Sequence, residues 1–282
     1  MCSGLLPARA ESPALRSQQT PGEALRYAME ARNTDGTQTT AYRAQADGVV
    51  KRNTAGILVD EFGWSQLSFG GAAFSLSPAS ISLRQELSTD PAFRLSMPDL
   101  SKAQPALIGP MLDLLTFYVD AQLARRQDGL RTVGDRVYVK HGTPNSWADH
   151  VRYTLGEDSI DFDITLTARD PQTRTLTLVV KHVPPAMPQI HLPADWMRAP
   201  VGDTPNNWVQ VKNAGAGKYV ASVGKEVFTD EIRLRVDGTI GSAVMENPVE
   251  VSERDCSDAA LLHCGTTRRY RILRHIEVRL QK

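Results

Sequence analysis

A switch to strand periodicity near residue 133 constrains this chain more than any other feature. Beyond it apolar residues recur at every second position, most clearly in Ile160-Asp161-Phe162-Asp163-Ile164-Thr165-Leu166-Thr167. Ile160, Phe162, Ile164 and Leu166 then share one face while Asp161, Asp163, Thr165 and Thr167 share the other, the pattern of a half-buried antiparallel strand. Asp170-Pro171-Gln172 turns the chain, and Leu176, Leu178 and Val180 return on the same alternation, so residues 160–183 form a hairpin. A second hairpin turns at residues 213–217 and a third at Asp237-Gly238, a pair suited to the left-handed dihedrals of a two-residue turn. Val249 and Val251 extend the third hairpin. In the last strand, residues 270–280, Ile272, Arg274, Ile276, Val278 and Leu280 lie on one face and His275, Glu277 and Arg279 on the other.

Upstream, residues 42–50 and 57–69 read as meandering strands, and residues 73–87 as a bent or edge strand interrupted at Pro78. Two segments read as helix. Thr20-Pro21-Gly22-Glu23 has the form of a capping box and predicts a short helix reaching Asn33. Residues 111–127 predict a long helix with Pro110 at its start and Gly129 just beyond its end. Its broad apolar face leaves Asp113, Thr116, Asp120 and Arg126 elsewhere. The expected fold is mainly β (α+β), a large curved antiparallel sheet or partly open barrel packed on one long helix. Residues 1–19 are expected to be a flexible tether and 20–282 a single β-rich domain. The proline-rich stretch 186–207 serves as a crossover; the alternative is a subdivision into 20–185 and 200–282.

With 32 Lys+Arg against 32 Asp+Glu among 282 residues, the chain has no excess charge to draw it to nucleic acid. No stretch reaches the roughly 18 uninterrupted apolar residues of a membrane-spanning helix. No Gly-x-Ser-x-Gly elbow, phosphate-binding glycine loop, dinucleotide fingerprint or metalloprotease helix occurs, so no recognised catalytic framework and no cofactor is implied. Of the three cysteines, Cys256 and Cys264 flank one short loop at a spacing foreign to zinc knuckles, and a disulfide is the better fit. That pairing points to an oxidising compartment.

The start, Cys2-Ser3-Gly4 followed by a Pro/Ala/Ser/Gln-rich stretch, resembles the mature N-terminus of a bacterial lipoprotein, whose cysteine carries the acyl chains. The resemblance implies a lipid anchor at Cys2 and a periplasmic or outer-membrane-anchored protein; the alternative is a cytoplasmic protein with an incidental Cys2. Residues 134–149 resemble the second motif of the cupin family, with Gly134 and Gly142 at its spacing. Lys140 replaces the motif's proline, Asn145 its metal-binding histidine and Asp149 its terminal asparagine. The metal ligand is therefore missing and the segment reads as a glycine-bounded strand-turn-strand.

Candidate chemistry is sparse. His141, Asp149 and His150 lie on one loop and could converge on a metal or serve a hydrolase, against the commoner role of surface polar residues. Asp161 and Asp163, adjacent on one face, could raise each other's pKa and act as acid and base; the plainer account is the solvated face of the strand. Arg274, on an apolar face, either pairs with a buried carboxylate or holds an anionic head group at a cavity rim. The favoured reading is a non-catalytic envelope protein with an apolar pocket for a lipid or another hydrophobic molecule, membrane-associated only through its anchor. A hydrolase or metal-dependent enzyme, and an assembly lipoprotein without a small ligand, are the alternatives.

Overall fold

The computed structural model describes residues 19–35, 38–96, 98, 100–140, 145–150, 153–157, 160–184 and 190–281; 145–150 and 153–157 are described by backbone alone. The chain opens with a meander of three long strands, β1 (Ala24–Asp35), β2 (Gln38–Arg52) and β3 (Leu58–Phe69). The short β4 (Ala72–Ala73), helix α1 (Pro78–Ser82) and β5 (Gln85–Leu87) follow, and then the long helix α2 (Pro105–Arg125). Next come β6 (Arg136–Val139), β7 (Asn145–His150), β8 (Tyr153–Glu157), β9 (Asp161–Asp170) and β10 (Thr175–Val183). The chain ends with β11 (Trp208–Gly215), β12 (Lys218–Glu226), β13 (Thr229–Arg235), β14 (Ile240–Cys256) and β15 (Arg268–Leu280). Among the described residues fifteen strands join one sheet, and every pairing among them is antiparallel.

The segment read as an N-terminal helix is strand β1. Gly22 has φ 90°, a left-handed conformation incompatible with the first turn of a helix. Leu25, Tyr27, Met29 and Ala31 are buried in alternation, and β1 is paired on both edges, by β2 and β15. Those ladders outweigh the helical propensity of its Ala, Leu, Met and Glu residues. The segment read as an edge strand around Pro78 is instead α1, with Pro78 in its first turn and Ser77 as N-cap accepting from the Ser80 N–H at 3.3 Å. Helix α2 begins ahead of the expected start, with Pro105 in its first turn and Pro110 inside. Gln19, the expected end of the tether, is buried, its amide donating to Asp60 at 2.9 Å.

Strand β14 organises the rest. One edge pairs with β15 from Ser242 to Glu253. The other edge changes partner: residues 240–246 pair with β13 and residues 249–256 with β12. Pro248, which has no N–H to give to a ladder, sits where the partner changes. From this fork one branch runs β13-β10-β9-β6 and the other β12-β11-β8-β7. The two strands of the cupin-like segment thus belong to different branches, β6 pairing with β9 and β7 with β8.

The main core joins α2 to the sheet. Leu107, Met111, Leu114, Leu115, Phe117 and Tyr118 share one apolar cluster with Phe62, Trp64, Ile164, Leu178, Ile232 and Val278. Tyr118 donates to Asp60 of β3 at 2.6 Å and its ring meets Phe62 edge-on at 6.1 Å. A second cluster covers the opposite face of β11 and β12: Met197, Val209, Ala221, Val223 and Leu261 pack there with the crossover residues Ile190, Leu192 and Trp196. The Cys256–Cys264 disulfide forms, and both cysteines belong to this second cluster. Replacing both by serine is expected to lower stability by about 2.5 kcal/mol, the chain-entropy value for so short a loop. Urea unfolding reads this directly, and an unchanged midpoint would show that the loop is held by its packing alone.

Candidate ligand cavity

The fork leaves a space, because two ladders that diverge from one strand cannot fill the angle between them with backbone. A cavity of about 330 Å³ occupies it, bounded by α2, both branches, β14 and β15. Alternation decides which side chains reach it. On β14 these are Met245, Asn247, Val249 and Val251, on β15 Tyr270, Ile272 and Arg274, and on β11 Trp208 and Gln210. Phe162 and His182 come from the other branch, and Leu112, Asp113, Thr116, Val119 and Asp120 form a stripe of α2. Gly224 keeps the wall thin where the branches part. A Cβ there would meet the Glu250 carbonyl oxygen at 2.4 Å and Trp208 at 3.2 Å, so only glycine lets Trp208 lie across β12.

The sequence places Asp113 and Asp120 off the apolar face of the helix; the structure buries both. Asp113 accepts from Tyr42 at 2.5 Å and from Arg274 at 2.7 and 2.9 Å. Burial by itself would weaken the charge on Arg274, but Asp113, Tyr42 and Glu226 outweigh it and hold the guanidinium above its usual range. Arg274 also donates to Asn33 at 3.1 Å. Arg274 thus has a buried carboxylate partner and lies in the cavity wall.

Asp120 faces His182 Nε2 at 3.0 Å, while Phe162 and Phe228 lie against the imidazole. Because carboxylate oxygens only accept, the imidazole proton belongs on Nε2, which leaves Nδ1 an acceptor in the neutral ring. Nδ1 is buried and has no hydrogen-bond partner among the described residues. Next to Asp120 lies Asp230, fully buried; burial first, then the Asp120 charge, push its carboxyl well above the usual carboxylate range and favour its protonated form. Asn247 donates its amide to Glu226 at 2.6 Å, which sets the amide's orientation and leaves Asn247 Oδ1 buried without a partner among the described residues. Ser222, another residue of the lining, donates its hydroxyl to Glu253 at 3.0 Å.

No protein-family model matches this chain, and no curated protein does. Among solved structures, a chain from a structure of lipid–protein interactions in lipovitellin is similar at 10% identity and a TM-score of 0.44. The similarity covers 93% of this chain, which spans only 25% of the lipovitellin chain. A likeness this distant assigns neither a family nor an activity.

Of the catalytic candidates read from the sequence, the side chains described are those of Asp161 and Asp163. His141 lies outside the described residues, and Asp149 and His150 lie on β7, whose side chains are not described. Asp161 and Asp163 do share a face, but each has its own partner across on β6. Tyr138 donates to Asp161 at 2.7 Å, and Arg136 pairs with Asp163 through its Nε at 2.6 Å. Arg136 holds Asp163 below the usual carboxylate range, the reverse of a mutually raised acid–base pair. Asp163 is also buried, not part of a solvated face. Among the described residues no group of three or more His, Cys, Asp or Glu is placed to hold a metal ion.

Sequence reading missed Asp113, Asp120, His182, Glu226 and Asn247. One signal was available: Asp113, Thr116 and Asp120, at spacings of three and four, form a polar stripe on a helix otherwise too apolar to face water.

Proposed function

We propose that the protein is a non-catalytic binding protein that holds one small amphipathic molecule, a short lipid or another hydrophobic compound, in the cavity at the fork. The cavity itself carries this reading: at about 330 Å³ it lies within the roughly 300–1,000 Å³ of small-molecule sites and combines an apolar wall with a few converging polar groups. Its aliphatic and aromatic lining, Phe162, Val249, Val251 and Ile272 among it, favours an acyl or alkyl body. The Cys256–Cys264 disulfide supports an oxidising compartment, the periplasm or the outer-membrane surface. The lipid anchor at Cys2 belongs to the same proposal and rests on Cys2-Ser3-Gly4 alone.

Native mass spectrometry of gently extracted protein is expected to show a co-purified small molecule. An environment-sensitive apolar dye should bind with one-to-one stoichiometry, and Val251→Phe, which fills the cavity, should weaken that binding at least tenfold. Unchanged dye affinity in a folded Val251→Phe protein would remove the cavity as the site.

A further inference from the structure

The cavity wall includes residues with buried polar atoms that have no hydrogen-bond partner among the described residues. Two buried acceptors on its wall, Asn247 Oδ1 and His182 Nδ1, have no partner among the described residues, and their residues are 2% and 5% exposed. Asn247 Oδ1 is an acceptor because the amide gives its N–H to Glu226, and His182 Nδ1 is one in the neutral tautomer whose Nε2–H donates to Asp120. A buried acceptor left unpaired costs about 1–3 kcal/mol, so the wall is built for something that supplies hydrogens. The charge has the same sense. Three carboxyl groups, those of Asp113, Asp120 and Glu226, belong to the described lining, and its one guanidinium, Arg274, is engaged with Asp113 and Asn33.

We infer that the ligand carries a hydrogen-bond-donating cationic head, an alkyl ammonium group, seated between Asn247, Glu226 and the His182–Asp120 pair, with its chain against Phe162, Val249 and Ile272. This rests on the binding reading proposed above. It departs from the expectation of an anionic head held by Arg274: a carboxylate would offer further acceptors to two unpaired acceptors and add negative charge to an acidic wall. A primary ammonium offers three donors and no acceptor.

The test is a matched series on the full protein: decylamine, decanol and decanoate, each displacing the same apolar dye below its aggregation threshold. Decylamine should bind at least tenfold tighter than decanoate, with decanol between them. Glu226→Gln, which keeps size and removes charge at a half-buried position, should weaken decylamine several-fold and leave decanol unchanged. Asn247→Leu should weaken both; where that variant fails to fold, Glu226→Gln alone decides. Decanoate binding as tightly as decylamine, or losing its affinity in Arg274→Met, would overturn the cationic head and leave the binding reading standing. Dye and all three compounds failing to bind the wild-type protein would overturn both.

Discussion

Leu115→Ala is expected to cost about 2–5 kcal/mol, the range for truncating a fully buried leucine. Leu115 is 2% exposed and lies in the cluster that joins α2 to the sheet, where no flexible surface can collapse into the space left behind. Neighbouring Phe117 and Tyr118 are fully buried, and Tyr118 is tied to Asp60, so the helix cannot shift toward the gap without breaking that bond. Ile81→Ala is the control. At 53% exposure Ile81 should change stability by no more than about 0.5 kcal/mol. Equal effects at the two positions would show that α2 is peripheral to the core.

Stability should also fall as pH rises from about 4 to 7, and Asp60 is the main reason. Burial pushes its carboxyl up to about 6, against the bonds from Tyr118 and Gln19 that favour its charged form. A group with a raised folded pKa binds its proton more tightly in the native state. Its contribution is therefore complete below the unfolded value of 3.8 and is lost as pH passes through about 6. The shift corresponds to about 3 kcal/mol. Asp230, raised by burial and by Asp120, acts with the same sign. Exposed carboxylates held low by their donors, such as Asp135 and Asp258, oppose this only at lower pH, where their contribution disappears as they protonate. The urea midpoint should accordingly be highest near pH 4–5, and Asp60→Asn should flatten its decline toward pH 7. A midpoint constant across that window would show Asp60 to be hydrated in the native state.

The parts of this fold legible in the sequence are those in which pattern and pairing are local. The hairpins turning near Asp170 and through Asp237-Gly238, and the two faces of β15, follow from alternation, although the second turn spans Val236 to Gly238 with Gly238 left-handed at φ 92° and Asp237 not. The Cys256–Cys264 bond was legible for the same reason, since the two cysteines flank one loop. Strand β1 was misread although Leu25, Tyr27, Met29 and Ala31 alternate, because its residue types favour a helix and its strand partners lie in part at the far end of the chain. The cavity was legible least. Asp120 meets His182 across 62 residues and Asp113 meets Arg274 across 161, so no local window contains either pair. Only the fork brings them to one place.

That fork gives the two cavity walls independent inheritance. Ser222, Gly224 and Glu226 hang from the ladder below Pro248, while His182 and Phe162 hang from the ladder above it. Substitutions at Ser222 and Glu226 change the first wall, while β9 and β10, held by other ladders, keep the opposite wall in place. Selection or design can thus rewrite one half of the recognition surface, head-group chemistry included, as a single-strand edit.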